Sequence, residues 1–106
     1  MNQLSVAELA RWLSDRERPQ PQVVDVREPW EIATASLPGT TNIPMREIPG
    51  RLGELDTGRE IVALCHHGGR SMQVAMFLEH HGFRVHNLAG GIDAWSREID
   101  AGVPRY

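Results

Sequence analysis

Short runs of consecutive apolar residues alternate along this chain with segments in which apolar residues recur every three or four positions. The runs predict strands, and the most apolar run, Ile61–Leu64, predicts a central strand that is buried on both faces. Because strands and helical segments alternate, the pattern predicts an α/β fold with a mostly parallel sheet. The predicted strands are Val23–Val26, Thr41–Ile43, Ile61–Leu64 and Phe83–Leu88.

The helical segments carry start and stop signals. Ser5 and Glu8 have the spacing of a capping box at the start of the first helix. Gly82 follows the strongest helical pattern and suits a helix end. The predicted helices span residues 5–14, 29 to about 33 or 35, 71–81 and 92–99.

Two further expectations concern the helices. Residues 45–55 predict a short additional helix that is interrupted at Pro49–Gly50. In the strongest predicted helix, the apolar side chains of Met72, Met76 and Phe77 are expected to belong to the core.

Length and composition narrow the class of protein. At 106 residues, the chain is expected to form one domain over residues 1–106, with an ordinary apolar fraction of 41%. The net charge of −3 argues against nucleic acid or an anionic membrane as a partner. No apolar stretch approaches the roughly 20 residues of a membrane span, and the N-terminus shows no signal peptide. We therefore expect a monomer in a reducing, cytoplasmic setting.

The only cysteine, Cys65, stands where the central strand ends and a glycine-containing loop begins. Ligands of open parallel sheets bind beyond the carboxyl ends of the strands. The strand, loop and helix point backbone N–H groups and the positive end of a helix dipole at the sulfur. We therefore expect Cys65 to be an unusually acidic and nucleophilic thiol. The candidate binding residues follow it directly: His66, His67, Gly68, Gly69, Arg70 and Ser71.

The residues of this loop have chemical reasons to follow a nucleophile. Gly68 and Gly69 allow backbone conformations in which successive N–H groups turn inward. Arg70 offers a planar cationic fork to an oxyanion. Ser71 is expected to cap the next helix and to leave its first amides free.

The other candidate residues have simpler expected roles. His66 and His67 are expected to line the pocket or tune the thiolate, and their adjacent side chains are expected to diverge rather than share a metal. Asp25, Arg27 and Glu28 lie at another strand end, where they are expected to pair with one another or brace the loop as supporting residues, with direct contact to the substrate as the alternative. No metal ion and no organic cofactor is expected.

Four motifs in order give the chain a resemblance to a known family. They are Asp25–Glu31, Leu37–Pro44, Cys65–Ser71 and Leu88–Trp95. Together they resemble the rhodanese-like domain family, and in particular its single-domain bacterial thiosulfate sulfurtransferases. The resemblance implies a five-stranded parallel sheet with helices on both sides. One position departs from the family pattern, because Ser36 stands where a histidine is common.

The resemblance also implies an activity. Cys65 would take a sulfane sulfur from thiosulfate or a persulfide, hold it as a persulfide, and pass it to cyanide or a thiol. The acceptor could be thioredoxin or another sulfur-relay protein. With one cysteine in the chain, the persulfide cannot resolve as an internal disulfide and must wait for an external acceptor. A covalent intermediate between two half-reactions predicts ping-pong kinetics.

The length of the loop between Cys65 and Arg70 helps to distinguish sulfur transfer from other activities. Four residues separate Cys65 from Arg70, whereas the related phosphatases have one more residue and so more room for phosphate or arsenate. The shorter loop favours sulfur transfer over an arsenate reductase or phosphatase. A non-catalytic rhodanese-like module for binding or sensing is a further alternative, but such a module does not need the cysteine, the glycine pair and the arginine together.

Overall fold

Five strands form one sheet in the computed structural model, which describes residues 1–106. Their order across the sheet is β1-β5-β4-β2-β3, so β4 is central, as predicted. Every neighbouring pair is parallel, which confirms the predicted α/β fold with a five-stranded parallel sheet. The strands are β1 (Asn2–Leu4), β2 (Gln22–Asp25), β3 (Thr41–Asn42), β4 (Ile61–Leu64) and β5 (Val85–Leu88).

The apolar pattern does not predict β1. Its three residues are too few to show a period, and they are extended because they pair with β5. In this pairing Gln3 lies opposite Asn87 and Leu4 lies opposite Leu88. The pairing brings the N-terminal segment beside a strand that contributes to the candidate site.

Helices cover both faces of the sheet. The first begins with the predicted capping box, in which the Glu8 N–H donates to Ser5 Oγ (3.0 Å) and the Ser5 N–H donates to Glu8 Oε1 (2.9 Å). None of the helices has the length and apolar character needed to cross a membrane. They are α1 (Val6–Ser14), α2 (Pro29–Thr34), a 3₁₀ helix (Met45–Glu54), α3 (Gly69–His80) and α4 (Gly91–Glu98).

The central strand β4 divides its side chains between two cores. Val62 and Leu64 belong to the core between the sheet and helices α1 and α4. Ile61, Ala63 and Cys65 belong to the core on the opposite face, under α3 and the 3₁₀ helix. This alternation is the period of two of a strand. It places the cysteine on the face that α3 covers.

Helix α3 differs from the prediction in its start and in its buried face. It begins at Gly69, two residues before the predicted start at residue 71. Met72 and Met76 are 38% and 59% exposed, so their predicted place in the core is wrong, whereas Phe77 is half-buried against it. The helical twist turns the two methionines toward solvent. The buried apolar face consists of Val74, Ala75 and Leu78.

The 3₁₀ helix is interrupted as predicted, but one residue later than expected, because it continues through Pro49–Gly50. The fixed φ of proline, near −65°, lies within the range of a 3₁₀ helix. The chain departs from helical dihedral angles at Arg51 instead (φ −127°, ψ 23°). The guanidinium of this residue bridges Glu47 and Glu54.

The corrected face of α3 gives a stability prediction. Leu78 is fully buried, so we expect Leu78→Ala to lower the free energy of unfolding by about 2–5 kcal/mol through lost packing and a residual cavity. The matched change Met76→Ala, on the same helix but in solvent, should cost less than about 0.5 kcal/mol. Urea denaturation of both variants measures the difference, and equal losses would contradict this assignment of the buried face.

Candidate active site

Cys65 lies directly after β4 and is 1% exposed. The Gly68 N–H donates a hydrogen bond to its Sγ at 3.1 Å. Helix α3 begins at the next residue, and the N–H groups of its first turn have no acceptor within the helix. The positive end of a 12-residue helix dipole therefore lies beside the sulfur. This environment stabilises negative charge on Sγ.

The loop that leaves Cys65 is held from behind by helix α4. The Ile92 N–H donates to the Cys65 carbonyl (2.9 Å), and the Asp93 N–H donates to the His66 carbonyl (3.0 Å). In a trans peptide the C=O and N–H groups point in opposite directions. The N–H groups of His66 and His67 are therefore turned away from α4. Helix α4 thus fixes the orientation of two loop peptides.

Gly91 makes this contact possible, although the sequence indicates only a turn there. Its φ is +59°, in the left-handed region, and a Cβ at this position would overlap the carbonyl oxygens of Cys65 and His66. Gly68 also has a positive φ, +112°, and caps α3 through its backbone. Both glycines are required by the path of the main chain around the sulfur.

Ser71 does not cap α3, so that expectation is wrong. It lies inside the first turn, fully buried, with its Oγ 3.3 Å from Cys65 Sγ and 2.5 Å from Asn87 Oδ1. The Asn87 amide N–H groups donate to the carbonyl oxygen of Gly68 (3.2 Å) and to Gln3 Oε1 (3.0 Å). Because a carbonyl oxygen only accepts, the Asn87 Oδ1 must face Ser71. The single hydroxyl hydrogen of Ser71 therefore has two acceptors within reach, Asn87 Oδ1 and Cys65 Sγ.

Arg70 does not offer a free cationic fork, in contrast to the expectation. Its Nη1 and Nη2 donate to Glu31 Oε1 and Oε2 at 2.7 and 2.8 Å. Glu31 also accepts from the Tyr106 hydroxyl (2.7 Å) and the Glu28 N–H (3.1 Å). The hydrogen bonds from Arg70, assisted by those of Tyr106, lower the pKa of Glu31 to about 2. The same pairing raises the pKa of Arg70.

The expected supporting residues separate into two groups. Asp25 and Arg27 form a fully buried ion pair, with Nη2 2.7 Å from Oδ2. Arg27 Nη1 also donates to the Tyr106 hydroxyl at 2.8 Å, which connects the pair to Glu31. Glu28 does not join this pair, because its side chain binds Arg46 at the surface and its backbone N–H donates to the Glu31 carboxylate. Asp25 and Arg27 therefore brace the network around Arg70, and the Glu28 side chain does not.

His66 and His67 stack on each other, so the expectation that they diverge is wrong. Their ring centroids are 4.0 Å apart, and Tyr106 stacks on His66 at 3.9 Å. Trp30 meets Tyr106 edge-on at 6.0 Å. We call Trp30, Tyr106, His66 and His67 the aromatic row. Burial, followed by the neighbouring His67, lowers the pKa of His66, which favours its neutral form.

Three possible metal donors meet beside this row. Donor atoms of His66, His67 and Asp93 lie within 4.8 Å of one another. The lone pairs of an imidazole lie in the ring plane, so the lone pairs of two stacked rings run nearly parallel and do not converge on one ion. The Asp93 carboxylate is also bound by Arg97 (3.0 Å) and Arg105 (3.1 Å). This geometry does not favour a shared metal ion.

Four residues that help to form the site are not predicted as site residues from the sequence. Asn87 carries a weak signal, since it is a polar residue inside a buried strand. Glu31 lies within a recognised motif, but the pattern explains it as an acidic residue in a first helical turn. Gly91 is predicted only as a turn. Tyr106 follows no pattern that connects it with residues 75 or more positions earlier.

Comparison with known proteins places this geometry in context. The family model described as "Rhodanese-like domain" matches residues 5–98. A protein named "Sulfurtransferase" from Allochromatium vinosum is 39% identical over 98 residues, covering 92% of this chain and 90% of that protein. A crystal structure of a rhodanese-like domain protein from Staphylococcus aureus superposes with a TM-score of 0.85 at 32% identity, covering 100% of this chain and 99% of that one.

A longer relative is also similar. The "Rhodanese-like/PpiC domain-containing protein 12, chloroplastic" of Arabidopsis thaliana is 44% identical over 90 residues. The match covers 80% of this chain but 30% of that protein. The chain therefore spans less than a third of the length of this relative.

The contact between Gly91 and the loop gives one prediction. Because its backbone lies against two carbonyl oxygens at a positive φ, we expect Gly91→Ala to lower the free energy of unfolding by at least about 2 kcal/mol. Gly69→Ala is the matched control, since a Cβ there meets no atom within 4 Å. It should change stability by less than about 1 kcal/mol. Similar losses in chemical denaturation would show that the close approach is not the constraint.

The Glu31 carboxylate gives a pH prediction. Its pKa in the folded protein is about 2, below the ordinary value of 4.5. A lowered carboxyl pKa contributes stability above the unfolded-state value, and this contribution is lost as pH falls through the folded-state value. The stability difference between the wild type and Glu31→Gln should therefore be largest near neutral pH and shrink between about 4.5 and 2. Urea titrations across this range measure it, and a constant difference would contradict the assignment.

Proposed function

Because this chain belongs to the rhodanese-like domain family, we propose that it is a sulfurtransferase in which Cys65 carries the sulfur as a persulfide. The observation that carries this proposal is the surroundings of the sulfur. Cys65 Sγ accepts the Gly68 N–H at 3.1 Å and lies at the positive end of α3. The relative from Allochromatium vinosum, similar over nearly its whole length, is named a sulfurtransferase.

In the first half-reaction, the Cys65 thiolate attacks the sulfane sulfur of a donor. A bond forms between Sγ and that sulfur while the sulfur–sulfur bond of the donor breaks. The leaving group is sulfite when the donor is thiosulfate, and a thiolate when the donor is a persulfide. The Gly68 N–H and the α3 dipole stabilise the charge that rests on the cysteine sulfur before attack and on the persulfide afterwards.

In the second half-reaction, a thiophilic acceptor attacks the outer sulfur of the persulfide. The bond to Sγ breaks, and Cys65 returns to its thiolate. The acceptor must come from outside, since the chain has one cysteine. Cyanide, small thiols and a thiol-bearing protein such as thioredoxin or a sulfur-relay protein all have the required chemistry. Two half-reactions joined by a covalent intermediate give ping-pong kinetics.

The loop residues have distinct proposed roles around this chemistry. Gly68 and Gly69 provide N–H groups and the path of the main chain, and Ser71 contacts the sulfur through its hydroxyl. His66 and His67 form part of the pocket wall through the aromatic row. Arg70, held by Glu31, organises the rim of the site rather than binding the donor with a free guanidinium.

The persulfide gives the central prediction. After incubation with a sulfane-sulfur donor and removal of the excess, the intact mass of the protein should increase by one sulfur atom. Cyanide should remove this sulfur and release an equal amount of thiocyanate. Mass spectrometry of the protein and a thiocyanate assay measure the two steps.

Cys65→Ala is the control for this experiment and should gain no sulfur. Failure of the wild type to gain sulfur from either thiosulfate or glutathione persulfide would contradict the proposal and favour a non-catalytic binding or sensing module. Turnover of a phosphate ester or of arsenate, without a sulfur adduct, would favour an oxyanion enzyme.

A further inference from the structure

We propose that the sulfur donor for Cys65 is an organic persulfide carried on a small thiol, and that Glu31 sets this preference over dianionic thiosulfate. The inference rests on the proposed function and narrows its donor. Two independent features support it: the ion pair that occupies Arg70, and the aromatic row that flanks the cysteine.

The first feature is that the cation of the loop is already neutralised. Both terminal nitrogens of Arg70 bind the Glu31 carboxylate in a bidentate pair. The other cations nearby are also engaged, because Arg27 binds Asp25 within the core. Arg97 of α4 and Arg105 in the C-terminal segment both bind the Asp93 carboxylate, at 3.0 and 3.1 Å. An arriving dianion therefore meets backbone dipoles at the loop but no unpaired guanidinium on it.

Separating Arg70 from Glu31 is also unfavourable in free energy. The Glu31 side chain is 4% exposed and accepts four hydrogen bonds: two from Arg70, one from the Tyr106 hydroxyl and one from the Glu28 N–H. The Arg70 side chain is 37% exposed, but if it turned toward a donor, the nearly buried Glu31 carboxylate would lose its counter-charge, which is unfavourable. Thiosulfate therefore recruits Arg70 only by separating it from Glu31.

The second feature is an aromatic surface where the carrier of the sulfur would lie. The aromatic row runs from α2 to the loop, and His66 in its middle is the residue next to Cys65. Trp30 is 64% exposed, and the His67 side chain is 69% exposed. Exposed rings in contact with one another provide stacking and apolar contact for an organic group. A small inorganic dianion such as thiosulfate gains little binding energy from stacking or apolar contact with these rings.

The transfer from an organic persulfide is balanced without another reactant. The Cys65 thiolate attacks the terminal sulfur of the hydropersulfide RS–SH. The new bond joins Sγ to that sulfur, and the sulfur–sulfur bond of the donor breaks. The leaving thiolate takes up the proton that the transferred sulfur releases, through water, and departs as the thiol RSH. Sulfane sulfur changes carrier with no net oxidation, and the enzyme persulfide carries a single negative charge, which suits the Gly68 N–H.

Single-turnover rates with two donors test this inference. The formation of the Cys65 persulfide is followed by intact mass with glutathione persulfide and with sodium thiosulfate. We expect the wild type to react at least about tenfold faster with glutathione persulfide. Glu31→Gln frees Arg70 and should raise the thiosulfate rate about tenfold, as expected for one gained charge-assisted contact. The glutathione persulfide rate should change less than about twofold.

Two further variants make the test specific. Glu54 forms a bidentate pair with Arg51 (2.6 and 2.8 Å) beside Gln22, at the start of β2 and thus at the opposite end of the sheet from Cys65. Glu54→Gln removes one of the two carboxylates that bind Arg51 there, Glu47 being the other, and should leave the donor preference unchanged. Trp30→Ala removes an exposed ring from the aromatic row. It should slow glutathione persulfide several-fold while the thiosulfate rate stays constant.

The outcomes separate the inference from the proposed function. A faster reaction of the wild type with thiosulfate, or a folded Glu31→Gln with an unchanged donor ratio, would overturn the inference while the persulfide on Cys65 stands. If Glu31→Gln does not fold, Trp30→Ala decides, and equal effects on both donors would overturn it. The absence of a sulfur adduct from either donor would instead overturn the proposed function.

Discussion

The contact between helix α4 and the loop after Cys65 is the constraint on which the site depends. Two N–H groups at the start of α4 bind the carbonyl oxygens of Cys65 and His66, and these bonds orient the peptides that follow the sulfur. Gly91 allows the approach because it has no Cβ to fill the space between the two backbones. The loop is therefore held on one side by α4 and continued on the other by α3. Each helix contributes its N-terminal end, where amide hydrogens have no intrahelical partner.

A chain of charges joins the core to the rim of this loop. Asp25 and Arg27 are buried together at the end of β2, Tyr106 connects Arg27 to Glu31, and Glu31 holds Arg70. In this network Asp25 is paired with Arg27 and Glu31 with Arg70, so the charges compensate in pairs. The loop rim around Arg70 consequently offers a bound substrate oriented hydrogen-bonding groups and no unpaired positive charge. Its shape depends on segments that are far apart in sequence.

Local patterns predicted the parts of the structure that depend on neighbours in sequence. The buried run Ile61–Leu64 and the Ser5 capping box are examples, because burial on both faces and cap geometry are visible within a few residues. The strand β1 was not predictable, since it is extended only through its pairing with β5. The stacking of Tyr106 on His66 likewise joins residues that are far apart in sequence. The position of Cys65 followed from the strand and loop pattern, whereas the engagement of Arg70 required the tertiary structure.

The hydroxyl of Ser71 has a consequence for how the sulfur changes its charge. Its single hydrogen has two acceptors within reach, Asn87 Oδ1 at 2.5 Å and Cys65 Sγ at 3.3 Å. Rotation about one C–O bond would turn that hydrogen toward a thiolate or persulfide without moving a heavy atom. The protein around the sulfur can therefore respond to ionisation by the swing of a single proton. Turning the hydrogen toward Sγ gives up the hydrogen bond to Asn87 and leaves two oxygen atoms 2.5 Å apart without a hydrogen between them, so ionisation of the sulfur is coupled to the contact between Ser71 and Asn87.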